Sequence, residues 1–193
     1  MKKFILSILL FPATALHAQQ YSVQAGNAVG LYYNNNFDFD ISSGFTLDAT
    51  YTSVIKKFGV LYNLGAEYSI TGWGSQVLIQ TGYSKVWMRP TGFIRAADKE
   101  SVTYIKSNWM ISTDLNIYNG FTLTKPNPLY VFAVEPAFVA SYKTGSHFFI
   151  TGTIAPRFTW SPAYKEYGEI NSYTDIVFKL GVSWFINRQK FRP

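Results

Sequence analysis

The sequence predicts an all-β chain, a single antiparallel sheet closed into an eight-stranded transmembrane β-barrel with its apolar face turned outward. Three observations carry this. Past residue 20, apolar residues recur with a period of two from end to end, and no useful length of chain shows helical spacing. The polar half of each alternating segment is mostly Ser, Thr, Asn, Gln and Gly, with few Lys or Glu, which suits a narrow, crowded interior better than a face open to water. Charged residues make up 15 % of the chain, where about a quarter is typical of soluble domains, while aromatic residues reach 18 %.

The first element stands outside the fold. Lys2 and Lys3 precede an apolar run from Phe4 to Leu16, and small Ala18 follows just before two glutamines, which is the pattern of a cleaved export signal. The run is too short to cross a bilayer as a helix, and Pro12 interrupts it. Residues 1–18 are therefore expected to be removed as a signal peptide. Residues 19–193 follow as one domain, since no stretch rich in Pro, Ser or Gly divides them. Removal of Lys2 and Lys3 lowers the formal charge from +6 to +4. The lack of cysteine excludes a disulfide scaffold, a lipid-modified N-terminal cysteine and any thiolate ligand or nucleophile.

Eight alternating segments follow in order: Tyr21 to Tyr33, Phe37 to Tyr51, Phe58 to Thr71, Ser75 to Met88, Thr103 to Tyr118, Pro128 to Tyr142, Ser146 to Trp160 and Tyr173 to Ile186. The second sets Phe37, Phe39, Ile41, Phe45 and Leu47 against Asp38, Asp40, Ser42, Thr46 and Asp48. The seventh sets Phe148, Ile150, Ile154, Phe158 and Trp160 against His147, Thr151, Thr153, Arg157 and Thr159, and the eighth repeats the division. Tyr130 and Tyr142, Phe148 and Trp160, and Trp73 and Trp87 lie near opposite segment ends and form two aromatic girdles; Trp109, inside the fifth segment, departs from them. Twelve residues at about 3.3 Å each, tilted by roughly 40°, rise about 30 Å, the height of an apolar band with its interfaces. At eight strands side chains fill the interior, so no open pore is expected.

The charges on the polar faces can be organised. Asp48, Glu67, Asp114, Glu135 and Asp175 meet Lys106, Arg157 and Lys179, with His147 at the edge, and opposite signs are nearly balanced. A buried charge without a partner costs several kcal/mol, so these residues are expected to form a paired network that plugs the lumen. Histidine supply limits any chemistry. His17 leaves with the signal, and His147 has no acidic residue or serine-rich motif around it to build a nucleophile and base. One histidine and scattered carboxylates offer no metal-ligand spacing, and no cofactor motif is present. Nucleic acid would require a basic stripe with a recognisable motif, and neither occurs. Basic residues instead collect at one rim: Lys56, Lys57, Arg89, Arg95, Lys99, Lys143, Arg188, Lys190 and Arg192 all lie, by strand parity, on the side of the chain ends. They are expected to meet anionic phospholipid or acidic cell-wall material.

At the last segment Lys179, Gly181, Trp184 and Ile186 give a polar residue, a glycine and two spaced hydrophobic residues. This resembles the sorting signal of outer-membrane barrels, and with the export signal and the eight segments the chain resembles the small outer-membrane β-barrel proteins along its whole mature length. The resemblance implies a place in the cell outer membrane, both chain ends in the periplasm, and outer-membrane lipids and the barrel-insertion machinery as partners. Two departures stand out: Asn187 to Pro193 continues past the signal, and the longest connection, Arg89 to Val102, falls on the periplasmic side. Part of that connection is expected to form a hairpin turning near Ala97, Asp98, Lys99 and Glu100. The expected function is that of a non-enzymatic integral barrel with a structural or surface-interaction role. A lipid-modifying enzyme, or a barrel that carries a small apolar ligand, is the alternative.

Overall fold

The computed structural model describes residues 20–33, 39–55, 60–71, 74–88, 94–95, 102–103, 107–123, 128–161 and 172–185. Eight long strands make one closed antiparallel sheet: β1 (Gln20–Tyr33), β2 (Phe39–Ile55), β3 (Val60–Thr71), β4 (Gly74–Met88), β7 (Trp109–Thr122), β8 (Leu129–Lys143), β9 (Phe148–Trp160) and β10 (Ser172–Phe185). A short pair, β5 (Ile94–Arg95) and β6 (Val102–Thr103), lies between β4 and β7. Around the barrel the order is β1-β10-β9-β8-β7-β4-β3-β2, so the first and last strands pair and leave no edge.

Period-two patterning turns directly into faces. In β9, Phe148, Ile150, Ile154, Phe158 and Trp160 are exposed on the outside, and Thr151, Thr153, Arg157 and Thr159 are buried inside. The partition is the inverse of a water-soluble core: Leu180 is 66 % and Ile79 59 % exposed, while Arg157 is 1 % and Glu67 2 % exposed. Aromatics gather where strands end. At the end that carries the chain termini, Tyr21 stacks on Trp184 at 5.6 Å and packs on Tyr51 at 5.2 Å.

The fifth predicted segment begins late. Residues from Thr103 were expected to enter the barrel, yet Thr103 pairs with Ile94 in the β5–β6 hairpin, and β7 starts at Trp109. Ser107 Oγ accepts the Trp109 amide at 3.0 Å and so marks the entry. Trp109 therefore sits at a strand end, edge-on to Tyr142 at 5.0 Å, and joins the girdle from which its predicted position excluded it. The predicted hairpin in the Arg89 to Val102 connection has its counterpart in the pairing of Ile94 with Thr103 and Arg95 with Val102. Lys106, Ile186 and the rim residues Lys56, Lys57, Arg89, Lys99, Arg188, Lys190 and Arg192 lie outside the described residues, as does the side chain of Arg95.

Three local features shape the wall. Gly74, with φ 90°, opens β4 opposite Thr71 in a conformation that a Cβ disfavours. Between β4 and β7 the register slips at Val86/Met88, leaving Trp87 as the extra residue of a β-bulge. Between β8 and β9 the ladder runs from Phe132↔Trp160 to Val134↔Phe158 and resumes in the same register at Phe138↔Ile154. Pro136 therefore faces Pro156. Neither has an N–H to give the other's carbonyl, so one hydrogen-bonded ring of the ladder is missing in the middle of the wall.

At the closing seam, a Cβ on Gly181 would lie 2.0 Å from Val23 O and 2.6 Å from Gln24 Cα, so only glycine lets β10 approach β1. Gly181→Ala is expected to prevent refolding into detergent, a measurement free of any insertion machinery. Gly152→Ala, whose methyl would meet nothing nearer than 4.0 Å, should refold like the parent. Equal yields of compact, heat-modifiable protein from the two variants would contradict a steric role for Gly181.

Candidate functional site

The lumen is built around Arg157. Its inward position on β9 aims the guanidinium at β3, which lies opposite β9 across the barrel, and there it binds Glu67 through two parallel bonds, Nη1 to Oε1 at 2.6 Å and Nη2 to Oε2 at 2.7 Å. The same guanidinium bonds Glu135 Oε2 on the neighbouring β8, through Nε at 2.8 Å and also through Nη2. Planar, bidentate pairing of this kind is what the fixed fork of an arginine provides. Lys179 of β10 completes the hub, with its Nζ 2.9 Å from Asp48 Oδ2, 3.0 Å from Glu67 Oε2 and 3.5 Å from Glu135 Oε1. Tyr118 of β7 donates to Glu135 Oε1 at 2.9 Å and accepts from Lys179 Nζ at 3.3 Å. Its ring lies 4.6 Å from the Arg157 Cζ. Every member is buried, so each charge depends on the others for the stabilisation that water would otherwise give.

On either side of the hub the filling differs. Towards the connecting turns β1–β2, β3–β4, β7–β8 and β9–β10, Gln76 Nε2 of β4 donates to Tyr173 OH of β10 at 3.1 Å. Those two strands are opposite each other in the barrel order, so this bond crosses the lumen. Towards the chain ends, hydroxyls and amides interlock. Asn63 Nδ2 donates to Ser84 Oγ at 2.6 Å, Thr153 Oγ1 to Gln24 Oε1 at 2.8 Å, and Thr151 Oγ1 lies 3.0 Å from Ser141 Oγ and 2.8 Å from Ser183 Oγ. They surround a cavity of about 50 Å³, room for a few water molecules.

Five of the predicted lumen residues, Asp48, Glu67, Glu135, Arg157 and Lys179, are brought together. Three others are not. Asp114 stands apart in the hydroxyl layer, accepting from Ser112 Oγ at 3.1 Å and Asn63 Nδ2 at 3.5 Å. Asp175 is the cross-strand neighbour of Arg157, yet its Oδ2 has no hydrogen-bond partner among the described residues. His147 was expected at the edge of the network and instead occupies the turn before β9, which starts at Phe148. Its Nδ1 lies 3.0 Å from Phe185 O, and its own carbonyl accepts the Phe185 amide at 3.0 Å. Among the described residues the lumen holds five carboxylates, Asp48, Glu67, Asp114, Glu135 and Asp175, and the cations Arg157 and Lys179, while Lys106 lies outside them.

Tyr118 was missed. Its signal was parity, since it falls in step with Ser112, Asp114 and Asn116 on the polar face of β7. The residues of the predicted sorting signal take separate places in the wall: Lys179 enters the hub, Gly181 packs on β1, and Trp184 stacks outward on Tyr21.

No family model matches the chain, and no curated protein matches it in sequence. Among solved structures, the crystal structure of Neisserial surface protein A matches with a TM-score of 0.51 at 8 % identity, over 86 % of this chain and 96 % of that one. The two share a fold.

Arg157→Ala is expected to lower the unfolding free energy by about 3–5 kcal/mol, because it leaves the buried carboxylates of Glu67, Glu135 and Asp48 with Lys179 as their one cation among the described residues. Tyr118→Phe, which removes one hydroxyl, should cost about 1–2 kcal/mol. Urea titrations of the refolded variants compare the two. A loss in Arg157→Ala no larger than in Tyr118→Phe would remove the arginine from the centre of the hub.

Proposed function

We propose that this chain is exported, loses residues 1–18, and resides in the cell outer membrane as a plugged, non-enzymatic transmembrane barrel with a structural or surface-interaction role. The observation that carries the reading is the inverted partition of the wall: large apolar side chains outside, an ion-paired hub inside. A bilayer is the solvent that suits the outer face, a closed sheet satisfies the backbone there, and the inner charges satisfy one another. Likeness of fold to a neisserial surface protein supports the same location. A lipid-modifying enzyme is disfavoured because His147, the one histidine outside the signal, is tied to the end of β10.

Partners follow from the same reading. The outer wall meets membrane lipids. Lys179, Gly181, Trp184 and Ile186 present β10 to the barrel-insertion machinery, and the basic rim at the chain ends meets anionic phospholipid or cell-wall material. The lumen is crossed twice, once by Arg157 to Glu67 and once by Gln76 to Tyr173, and these crossings support the plugged reading. Planar-bilayer recordings of the refolded protein should show no stable channel, while its gel mobility in detergent shifts on heating. A large, steady unitary current would overturn the plugged reading, and extraction of the native protein from membranes by carbonate would overturn the membrane one.

A further inference from the structure

Among the described residues of the outward face, Lys85 is the sole charged side chain. It is exposed and lies between Tyr83 and Trp87 on β4, near the end of the barrel that carries the chain termini. Such a cation on an apolar wall calls for a stabilising partner, and no carboxylate among the described residues pairs with it.

The wall is modified at this point. Trp87 is the bulged residue of the β4–β7 ladder, and a bulge re-aims the side chain it carries. Its ring lies under the Lys85 ammonium, 4.1 Å from Nζ to centroid, and its indole N–H donates to Thr113 Oγ1 on β7 at 2.9 Å. Thr113 is the cross-strand partner of Lys85. With its oxygen taken as acceptor, the Thr113 hydroxyl keeps its proton to donate, and the ammonium keeps N–H groups that the ring does not cover. Two donors, one of them charged, thus stand side by side on an outward surface, held by an aromatic at girdle height.

We infer that Lys85, Trp87 and Thr113 form a clamp for the phosphodiester of an anionic phospholipid in the leaflet on the side of the chain ends. The ammonium and the threonine hydroxyl donate to phosphate oxygens, and Trp87 holds the lysine stem along the wall while its indole lies at the interface. The inference rests on the proposed membrane location and adds a specific lipid site to it.

The test is native mass spectrometry of detergent-refolded protein offered equal phosphatidylglycerol and phosphatidylcholine, with gel mobility before and after heating as the check on folding. The parent should retain phosphatidylglycerol preferentially, Lys85→Gln should weaken that retention about fivefold, and Lys85→Arg should keep it. Thr113→Val, which leaves the charge in place, should give a partial loss. Inorganic phosphate at equal concentration should not displace the lipid; if it does, the site is for phosphate and not for phospholipid. Unchanged selectivity in folded Lys85→Gln overturns the clamp alone. A parent protein with no heat-modifiable form overturns the membrane reading and the clamp with it.

Discussion

The bond between Arg157 and the two glutamates that share it is the interaction on which the rest of this structure depends. An eight-stranded barrel has a lumen too narrow for bulk water, so a charge inside it is desolvated whatever its partner. Arg157 answers this by spreading one delocalised charge over Glu67 and Glu135, on strands that lie opposite and adjacent to its own. Lys179 then shares Glu67 Oε2 with Arg157 and Glu135 Oε1 with Tyr118, and brings in Asp48. Because the ligands come from β2, β3, β8, β9 and β10, the hub is satisfied in one arrangement of the strands and strained in others. Buried polar networks specify register in this way even where their net contribution to stability is small.

Closure of the wall and filling of the lumen support each other. Gly181 permits β10 to approach β1, and that approach places Lys179, two residues earlier, within reach of Asp48 on β2. The wide division of labour along the axis follows from side-chain size. Tyr118, Leu78 and Val131 pack the half nearer the β3–β4 turn, where Gln76 and Tyr173 meet. Serine and threonine populate the other half and leave the small, largely polar cavity.

Much of this was legible in the sequence, for a physical reason. Strand parity is a strict period, so the faces of β9 and β10 and the inward placement of Glu67, Glu135 and Arg157 could be read from alternation alone. Depth and angle round the barrel could not, because they depend on how far each strand is sheared against the next. That is why Asp114, inward by parity like Glu135, lies apart from the hub, and why parity alone does not mark Tyr118 as one of its members. The late start of β7 has a similar origin: Thr103 pairs with Ile94, and local pattern does not distinguish that pairing from entry into the barrel.

The facing prolines of β8 and β9 give the wall an uneven mechanical character. Seven of the eight inter-strand ladders resist stretching of the circumference through backbone bonds, with the bulge at Trp87 lying at a strand end. At Pro136 and Pro156 that resistance passes inward to Glu135 and Arg157, whose side-chain bond joins the two strands at the adjacent position from the lumen side. Hoop tension at mid-height is thus borne by an ion pair, whose strength depends on how dry the lumen stays. Water entering from the hydroxyl-lined end would loosen the cylinder first along this line, so the compliance of the wall is coupled to hydration of the interior.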